Sequence, residues 1–435
     1  MKNLCLGLFL LLFLSCQEQG KETTLSPEKQ QISETLDTYF TALTELKQFN
    51  GVIMAFHSDT LLLHKAYNLD KSPGSSTYVT AEHQFDIHSV SKLMGHYLIE
   101  KLEAEGTLSK SQTLDTYYPD FPRGKEISLQ MLLDHQSGFP RELEEFGGDK
   151  RDLSREEIVA LCLRQPLLFE PGEDTQYSNV GYELIYDIIA RENGKSFSQC
   201  LIDQVFEPLQ MNASGAHFFT ETKRMRQLAK NHVQAEPVPV QVPNILDEDF
   251  RTSRIFSTAS DLHLFLNKLK SDPLAKGLQA EYGIYAKDGG SDGIRAQIYL
   301  DTNNDFQFVM LSNYDGMPFL KTIQDLVAMM SSEAVEIPKE LNRSAIELDT
   351  SKMTPFVGAY SFADFGGLVL TVEIQEGQLI VIQDGEVIAE MKAESETVFF
   401  EDPKAPESFE FIPNEAGSFD VLMGWKGVKL LGVRQ

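Results

Sequence analysis

A single tryptophan, four cysteines and no stretch dominated by glycine or proline mark this 435-residue chain. Those shortages exclude collagenous and low-complexity classes. No apolar run reaches the ~18 residues that a membrane-spanning helix needs. Basic residues are also scarce, with 38 Lys and Arg against 65 Asp and Glu and a formal net charge of -27. Binding phosphates requires the opposite balance, so nucleic-acid binding is excluded, and so is attachment to anionic lipid through a basic patch. The nine His and four Cys show neither H-x-x-x-H nor C-x-x-C spacing, and no metal site is read from them. What remains is ordinary for a globular chain of two or three domains, with 42% hydrophobic and 24% charged residues.

The longest apolar run is residues 4–14 (LCLGLFLLLFL), behind Lys2. It has the length of the apolar region of a secretory signal. It leads into Phe13-Leu14-Ser15-Cys16. A small residue before a cysteine is similar to the lipobox of bacterial lipoproteins, with Phe13 where Leu is usual. This implies a signal peptide over residues 1–15, lipidation of Cys16 and a polar tether over 16–32. The protein is then exported and held in the cell envelope, in the periplasm or on the outer membrane, with a lipid anchor as its contact with the membrane. A plain secretory signal cut near Ser15 is the alternative. Cys162 and Cys200 then remain; an exported protein could pair them, and the preferred reading is two buried free thiols on separate helices.

Residues 33–48 carry a helical stripe of Leu36, Phe40, Leu43 and Leu46. Two apolar runs, 51–57 and 61–67, split by Ser58-Asp59-Thr60, read as a hairpin. A long helical middle follows, with helices over 90–104 and from Val180 to Asn193-Gly194. A third begins behind Thr258, with Asp261 three residues on as its cap partner. Strands return at 294–300 and 306–311. Strands at both ends of a helical middle predict an α+β domain over residues 33–335: one antiparallel sheet with edges from distant sequence and helices packed on it. Residues 336–350 read as a linker. Residues 351–435 show short alternating strands broken at Gly366-Gly367, Glu376-Gly377, Asp384-Gly385, Pro403 and Gly417, which predicts a small all-β barrel or sandwich of about eight strands with Trp425 in its core.

Three short patterns carry chemistry. Ser89-Val90-Ser91-Lys92 opens a helix, so Lys92 lies one turn after Ser89 with its amine in reach of the hydroxyl. A serine there also has its own N–H free of intrahelical bonding, which suits a nucleophile needing a base and an oxyanion donor. On its own the pattern is weak, because a serine at a helix start is commonly just an N-cap. S-x-x-K also recurs at Ser26-Pro27-Glu28-Lys29, which is discounted for lying in the tether with no apolar stripe behind it. Tyr177-Ser178-Asn179 precedes the helix at Val180. A phenol beside a Lys ammonium is expected to have a lowered pKa and to take a proton from Ser, and Asn179 can offer donor and acceptor to a substrate amide. The plainer reading is an Asn cap with a packed Tyr. Lys287-Asp288-Gly289-Gly290 ends a predicted strand. Lys287 can attract a substrate carboxylate, while Gly289 and Gly290 let backbone approach a ligand and supply a second oxyanion N–H. A solvated turn is the plainer reading there.

The order S-x-x-K, Y-x-N, K-x-G is far more specific than any one of the three. With it the chain resembles class C serine β-lactamases, the related D,D-peptidases and the wider group of β-lactamase-related serine hydrolases. Further matching stretches are Leu132-Leu133-Asp134-His135-Gln136-Ser137-Gly138, Phe169-Glu170-Pro171-Gly172, Pro208-Leu209-Gln210-Met211 and Ser257-Thr258-Ala259-Ser260-Asp261-Leu262. The resemblance spans roughly residues 35–335, and a weaker one begins at Val357-Gly358-Ala359-Tyr360 for the small β domain.

The resemblance implies a cofactor-free acyl-enzyme mechanism on a small peptide, amide or ester substrate. It makes Ser89 the nucleophile and gives Lys92 and Tyr177 the general-base and proton-return work. Asn179 would hold the substrate amide, Lys287 would supply positive potential, and the N–H groups of Ser89 and Gly290 would form the oxyanion hole. His135, Ser137 and Gly138 are assigned to structure. Two departures stand out. Asp288 occupies the place where β-lactamases carry Thr or Ser, and an acid there would neutralise Lys287 or repel an anionic substrate, so β-lactam turnover ranks behind cleavage of D-amino-acid or peptidoglycan-like amides and esters. Ser253-Arg254-Ile255-Phe256 stands where the family often has paired glycines. The rival from another class is a non-catalytic protein that binds cell-wall fragments.

Overall fold

The computed structural model describes residues 25–143, 154–217, 224–235, 237–242, 254–363, 367–425 and 428–435. Cys16, residues 1–15 and Gly366 lie outside them. The first helix, α1 (Pro27–Glu45), starts six residues before the predicted one. Ser26 caps it, Pro27 stands where a missing N–H costs nothing, and Ile32 is already in the core. The tether therefore cannot extend to residue 32, and the discounted Ser26–Lys29 copy does open a helix with an apolar stripe. Its Lys29 reaches His57 O and Thr60 Oγ1 rather than a cleft.

The central sheet has five strands: β1 (Gly51–His57), β2 (Thr60–Tyr67), β3 (Ile284–Ser291), β4 (Ile294–Asp301) and β5 (Phe306–Ser312). The order is β2-β1-β5-β4-β3 and every pairing is antiparallel, so distant sequence is joined where β1 lies against β5, from Gly51↔Ser312 to His57↔Phe306. The sheet is covered on both faces, which explains apolar runs where one-sided burial would give alternation. Val52, Met54, Val309 and Leu311 enter one core, with α2 (Ser91–Ala104), α3 (Asn179–Asn193) and α4 (Ala259–Ser271). Ile53, Ala55, Phe306, Phe308 and Met310 enter the other, under α1 and α5 (Phe319–Met330). A buried bond from Tyr39 OH to Asp325 Oδ2, 2.7 Å, ties those two terminal helices together.

A small three-stranded sheet that the sequence did not announce joins Phe85–Asp86, Gly215–His217 and Arg254–Ser257. Strands of two to four residues leave no readable periodicity. Cys162 and Cys200 are free and buried, as expected.

From Gly358 the chain forms a closed eight-stranded antiparallel barrel, in which Tyr360 on the first strand pairs with Arg434 on the last. Glu376-Gly377 and Asp384-Gly385 turn with positive φ at both residues, as tight hairpins demand. The barrel has its own core around Phe356, Tyr360, Phe399 and Phe411. Trp425 is only half-buried and packs against that core rather than within it. Among the described residues, no helix is long and apolar enough to cross a membrane.

Candidate active site

Ser89 sits in a single 3-10 turn, His88–Val90, that runs directly into α2. It is not the cap of α2; the capping position is Val90, with no side-chain bond. The turn is held by neighbours: Ile87 N donates to Ile255 O (3.1 Å), and His88 N donates to Asp86 Oδ1 (2.9 Å). His88 has φ +47, a conformation that L residues adopt at a cost. The strand Arg254–Ser257, where the sequence departs from paired glycines, is therefore the rail that supports the Ser89 turn.

Two donors converge on the Ser89 hydroxyl. Lys92 Nζ donates to Oγ at 3.1 Å and Tyr177 OH donates to it at 2.8 Å. Lys92 is only 7% exposed, and its ammonium lies 5.0 Å from the Tyr177 ring centre and 5.5 Å from that of Tyr182. Tyr177 precedes Ser178, whose Oγ caps α3 by accepting from Gly181 N at 3.0 Å. Ser178, not Asn179, is thus the cap. Asn179 is the first helical residue, and its Nδ2 donates to Glu142 Oε1 at 2.6 Å.

Lys287 to Gly290 lie inside β3, the sheet edge facing the Ser89 turn, and the chain turns later, at Asp292-Gly293, where Gly293 is buried and donates to Asp315 Oδ2 at 3.1 Å. Gly289 is buried, and a Cβ there would stand 2.3 Å from Ile87 O and 3.1 Å from Ser89 N. The missing side chain is what lets β3 lie against Ser89. Gly290 is exposed with nothing nearer than 3.5 Å to such a Cβ. Lys287 Nζ is 5.1 Å from the Tyr177 ring centre and 3.5 Å from Asp288 Oδ1. Ser89, Lys92, Tyr177, Lys287 and Gly289 thus lie together, with Asn179 two residues after Tyr177 and Gly290 next to Gly289 on the strand.

One expectation is overturned. The Tyr177 phenol is not acidified by its cationic surroundings but pushed up to about 12. Burial is the main cause, with Asp288 and Glu142 adding to it and the Ser89 hydrogen bond and Arg141 opposing. Three residues missed or set aside in the sequence also belong here. The Arg141 guanidinium lies 5.0 Å from the Tyr177 ring centre, Glu142 occupies the Asn179 amide, and the His135 ring is 4.5 Å from that of Tyr177. Arg141 and Glu142 lie in irregular loop and match no motif, so only the fold brings them in. Among the described residues no group of three or more His, Cys, Asp or Glu could hold a metal.

The Beta-lactamase family matches residues 36–328. The chain is similar to penicillin-binding protein 4* of Bacillus subtilis (strain 168), 24% identical over 421 residues that span 86% of this chain and 92% of the relative. It is also similar to the teichoic acid D-alanine hydrolase of Staphylococcus aureus, 22% identical over 319 residues, 68% of this chain and 78% of the relative. Among solved structures, the octameric penicillin-binding protein homologue from Pyrococcus abyssi superposes with a TM-score of 0.62 at 18% identity, covering 92% of this chain and 99% of that one.

Proposed function

The chain belongs to the Beta-lactamase family and is a serine hydrolase, and on that premise we propose that it cleaves the amide or ester bond of a D-amino-acyl or peptidoglycan-like substrate through an acyl-enzyme on Ser89. What supports this reading above all is the convergence of Lys92 and Tyr177 on one hydroxyl oxygen. With one proton already lost from the Lys92–Tyr177 pair, the Ser89 Oγ attacks the acyl carbon, and its proton passes to the vacant site of the pair and on to the departing amine or alcohol. The Oγ–acyl bond forms as the C–N or C–O bond breaks. Water then attacks the acyl carbon, and its proton returns through the same pair to Oγ. Burial holds the proton on the phenol, whose pKa is pushed up to about 12. The N–H groups of Ser89 and Gly290 hold the oxyanion, Asn179 takes the substrate amide, and Lys287 supplies positive potential.

The D-amino-acyl class rests on the S. aureus relative, a teichoic acid D-alanine hydrolase. β-Lactam turnover stands behind it because Asp288 lies beside the cation that would receive a β-lactam carboxylate. The proposed setting is the cell envelope, with residues 1–15 removed and Cys16 lipidated. Cys16→Ser would then move the protein from the detergent phase to the aqueous phase on Triton partitioning; an unchanged partition would remove the anchor.

The test of the activity is intact-protein mass spectrometry after exposure to a fluorophosphonate. The wild type gains one adduct, Ser89→Ala gains none, and D-alanyl amides and esters are hydrolysed by the wild type alone. A wild type that takes no adduct and turns over none of these substrates would sink the reading and bring forward the non-catalytic binding protein.

A further inference from the structure

His135, Ser137 and Gly138 are assigned to structure by the sequence, yet the motif tyrosine is built onto the segment that carries them. The segments 136–141 and 168–179 run side by side through a series of bonds. Leu168 N donates to Gly138 O (2.8 Å), Gly172 N to Gln136 O (2.8 Å), Ser178 Oγ to Pro140 O (2.8 Å) and Asn179 N to Arg141 O (2.9 Å). Next to the segment 136–141 is His135, which holds the backbone N–H groups of both residues flanking Tyr177. Gln176 N donates to His135 O at 2.9 Å, and Ser178 N donates to His135 Nδ1 at 3.1 Å. Its ring also lies 4.5 Å from that of Tyr177 and 5.2 Å from that of Tyr182. His135 itself is in the left-handed region, φ +60, which turns carbonyl and ring toward the same stretch of chain.

We propose that His135 is the positioning residue of Tyr177: by gripping the N–H groups of the residues before and after it and packing on its ring, His135 sets the phenol at hydrogen-bonding distance from Ser89. This rests on the reading of Ser89 as the nucleophile with Tyr177 in its base. The grip needs a particular protonation state. An Nδ1 that accepts from a backbone N–H carries no proton, so the ring is neutral with its proton on Nε2. Burial, together with the ammoniums of Lys92 and Lys287, holds the imidazole down at about 4, so the acceptor persists through the neutral range. A protonated ring would lose this bond and add a fourth cation to Lys92, Arg141 and Lys287, already against Tyr177.

Asparagine is the informative replacement. Its Oδ1 hangs from Cγ as Nδ1 does, it accepts the same bond, and it tolerates a positive φ. Alanine keeps neither the acceptor nor the ring. The experiment measures the limiting rate and half-saturation of fluorophosphonate labelling at Ser89 in the full chain, for His135→Ala and His135→Asn, each alone and combined with Tyr177→Phe. Misplacing a reacting group by about 1 Å costs on the order of a hundredfold, so His135→Ala is expected to lose about that much in limiting rate with half-saturation unchanged. His135→Asn should recover most of it. Combined with Tyr177→Phe, neither substitution should cost more than about twofold further, because a residue acting through the phenol has nothing left to act on.

The proposal is overturned if His135→Ala labels at the wild-type rate, if its loss is equally large in the Tyr177→Phe background, or if His135→Asn is folded and as slow as Tyr177→Phe alone. This last comparison decides the matter if the alanine variant does not fold. A wild type that takes no adduct removes the hydrolase reading itself, and this proposal with it; labelling that is indifferent to residue 135 removes only the positioning role.

Discussion

Asp288 is where this site departs most from the pattern its motifs resemble, and its position gives it two effects. Its carboxylate lies 3.5 Å from Lys287 Nζ, so a substrate carboxylate drawn to that lysine meets an anion already there. Its field also reaches Tyr177, where it helps keep the proton on the phenol. Replacing it with the isosteric neutral amide, Asp288→Asn, removes an anion that disfavours phenolate, so the phenol's pKa should fall from about 12 toward its ordinary 10. At pH 9 more of the base is then available, and fluorophosphonate labelling should rise by roughly threefold to tenfold, since each unit of pKa is worth a factor of ten in the ionised fraction. Asp288 is 61% exposed, so the gain should shrink in 1 M salt, where the Debye length is only about 3 Å. Labelling that stays level or slows at every pH would show that the carboxylate does not govern the phenol.

At the scale of elements, the site is a meeting of one strand edge, one helix start and one irregular loop. The closest approach is that of β3 to the nucleophile turn, and two adjacent glycines on that strand predict opposite outcomes. Gly289→Ala puts a methyl 2.3 Å from Ile87 O and 3.1 Å from Ser89 N, so β3 must move away from the turn that holds the nucleophile. Gly290→Ala meets nothing nearer than 3.5 Å. Fluorophosphonate labelling should fall about a hundredfold or more in the first, as for any angstrom-scale misplacement at a reacting group, and stay near wild type in the second. Equal losses in the two would refute a steric role for Gly289.

The same contrast shows what could be read from the chain beforehand. Motifs on regular elements were legible, because helix spacing puts Lys92 a turn from Ser89 and the apolar run of β1 reports a strand covered on both faces. Contacts made through irregular backbone were not. His135, Arg141 and Glu142 reach Tyr177 or Asn179 only because separate loops zip together, and nothing periodic marks that pairing. The direction of the Tyr177 shift was misjudged for a related reason: sequence spacing reveals a neighbouring charge but not the burial that outweighs it.

For the whole molecule, histidine burial sets the response to acid. His83, His135, His232 and His263 all titrate below their ordinary 6.5, with burial the first cause in each, and His135 is held down at about 4. Unfolding frees these rings to take up protons at their ordinary pKa. The unfolded chain therefore binds more protons than the folded one as pH falls below about 6.5, so the stability these rings contribute is complete above that pH and drains away toward 4. For His135 alone the loss by pH 5 comes to about 2 kcal/mol. Asp261 works the other way, since burial raises its carboxyl and the folded state takes its proton first, a gain that partly offsets the loss from the histidines as the pH falls. Lowering the pH also relieves the self-repulsion of a chain with a net charge of -27, a term that 0.15 M salt screens over about 8 Å. In that salt, the melting midpoint of the full chain should drop by several degrees between pH 7 and pH 5, before the carboxylates titrate, and His135→Asn should soften the drop. A midpoint that holds level across that interval would mean that the four rings are as protonatable in the fold as out of it, and the neutral imidazole beside Tyr177 would lose its electrostatic basis.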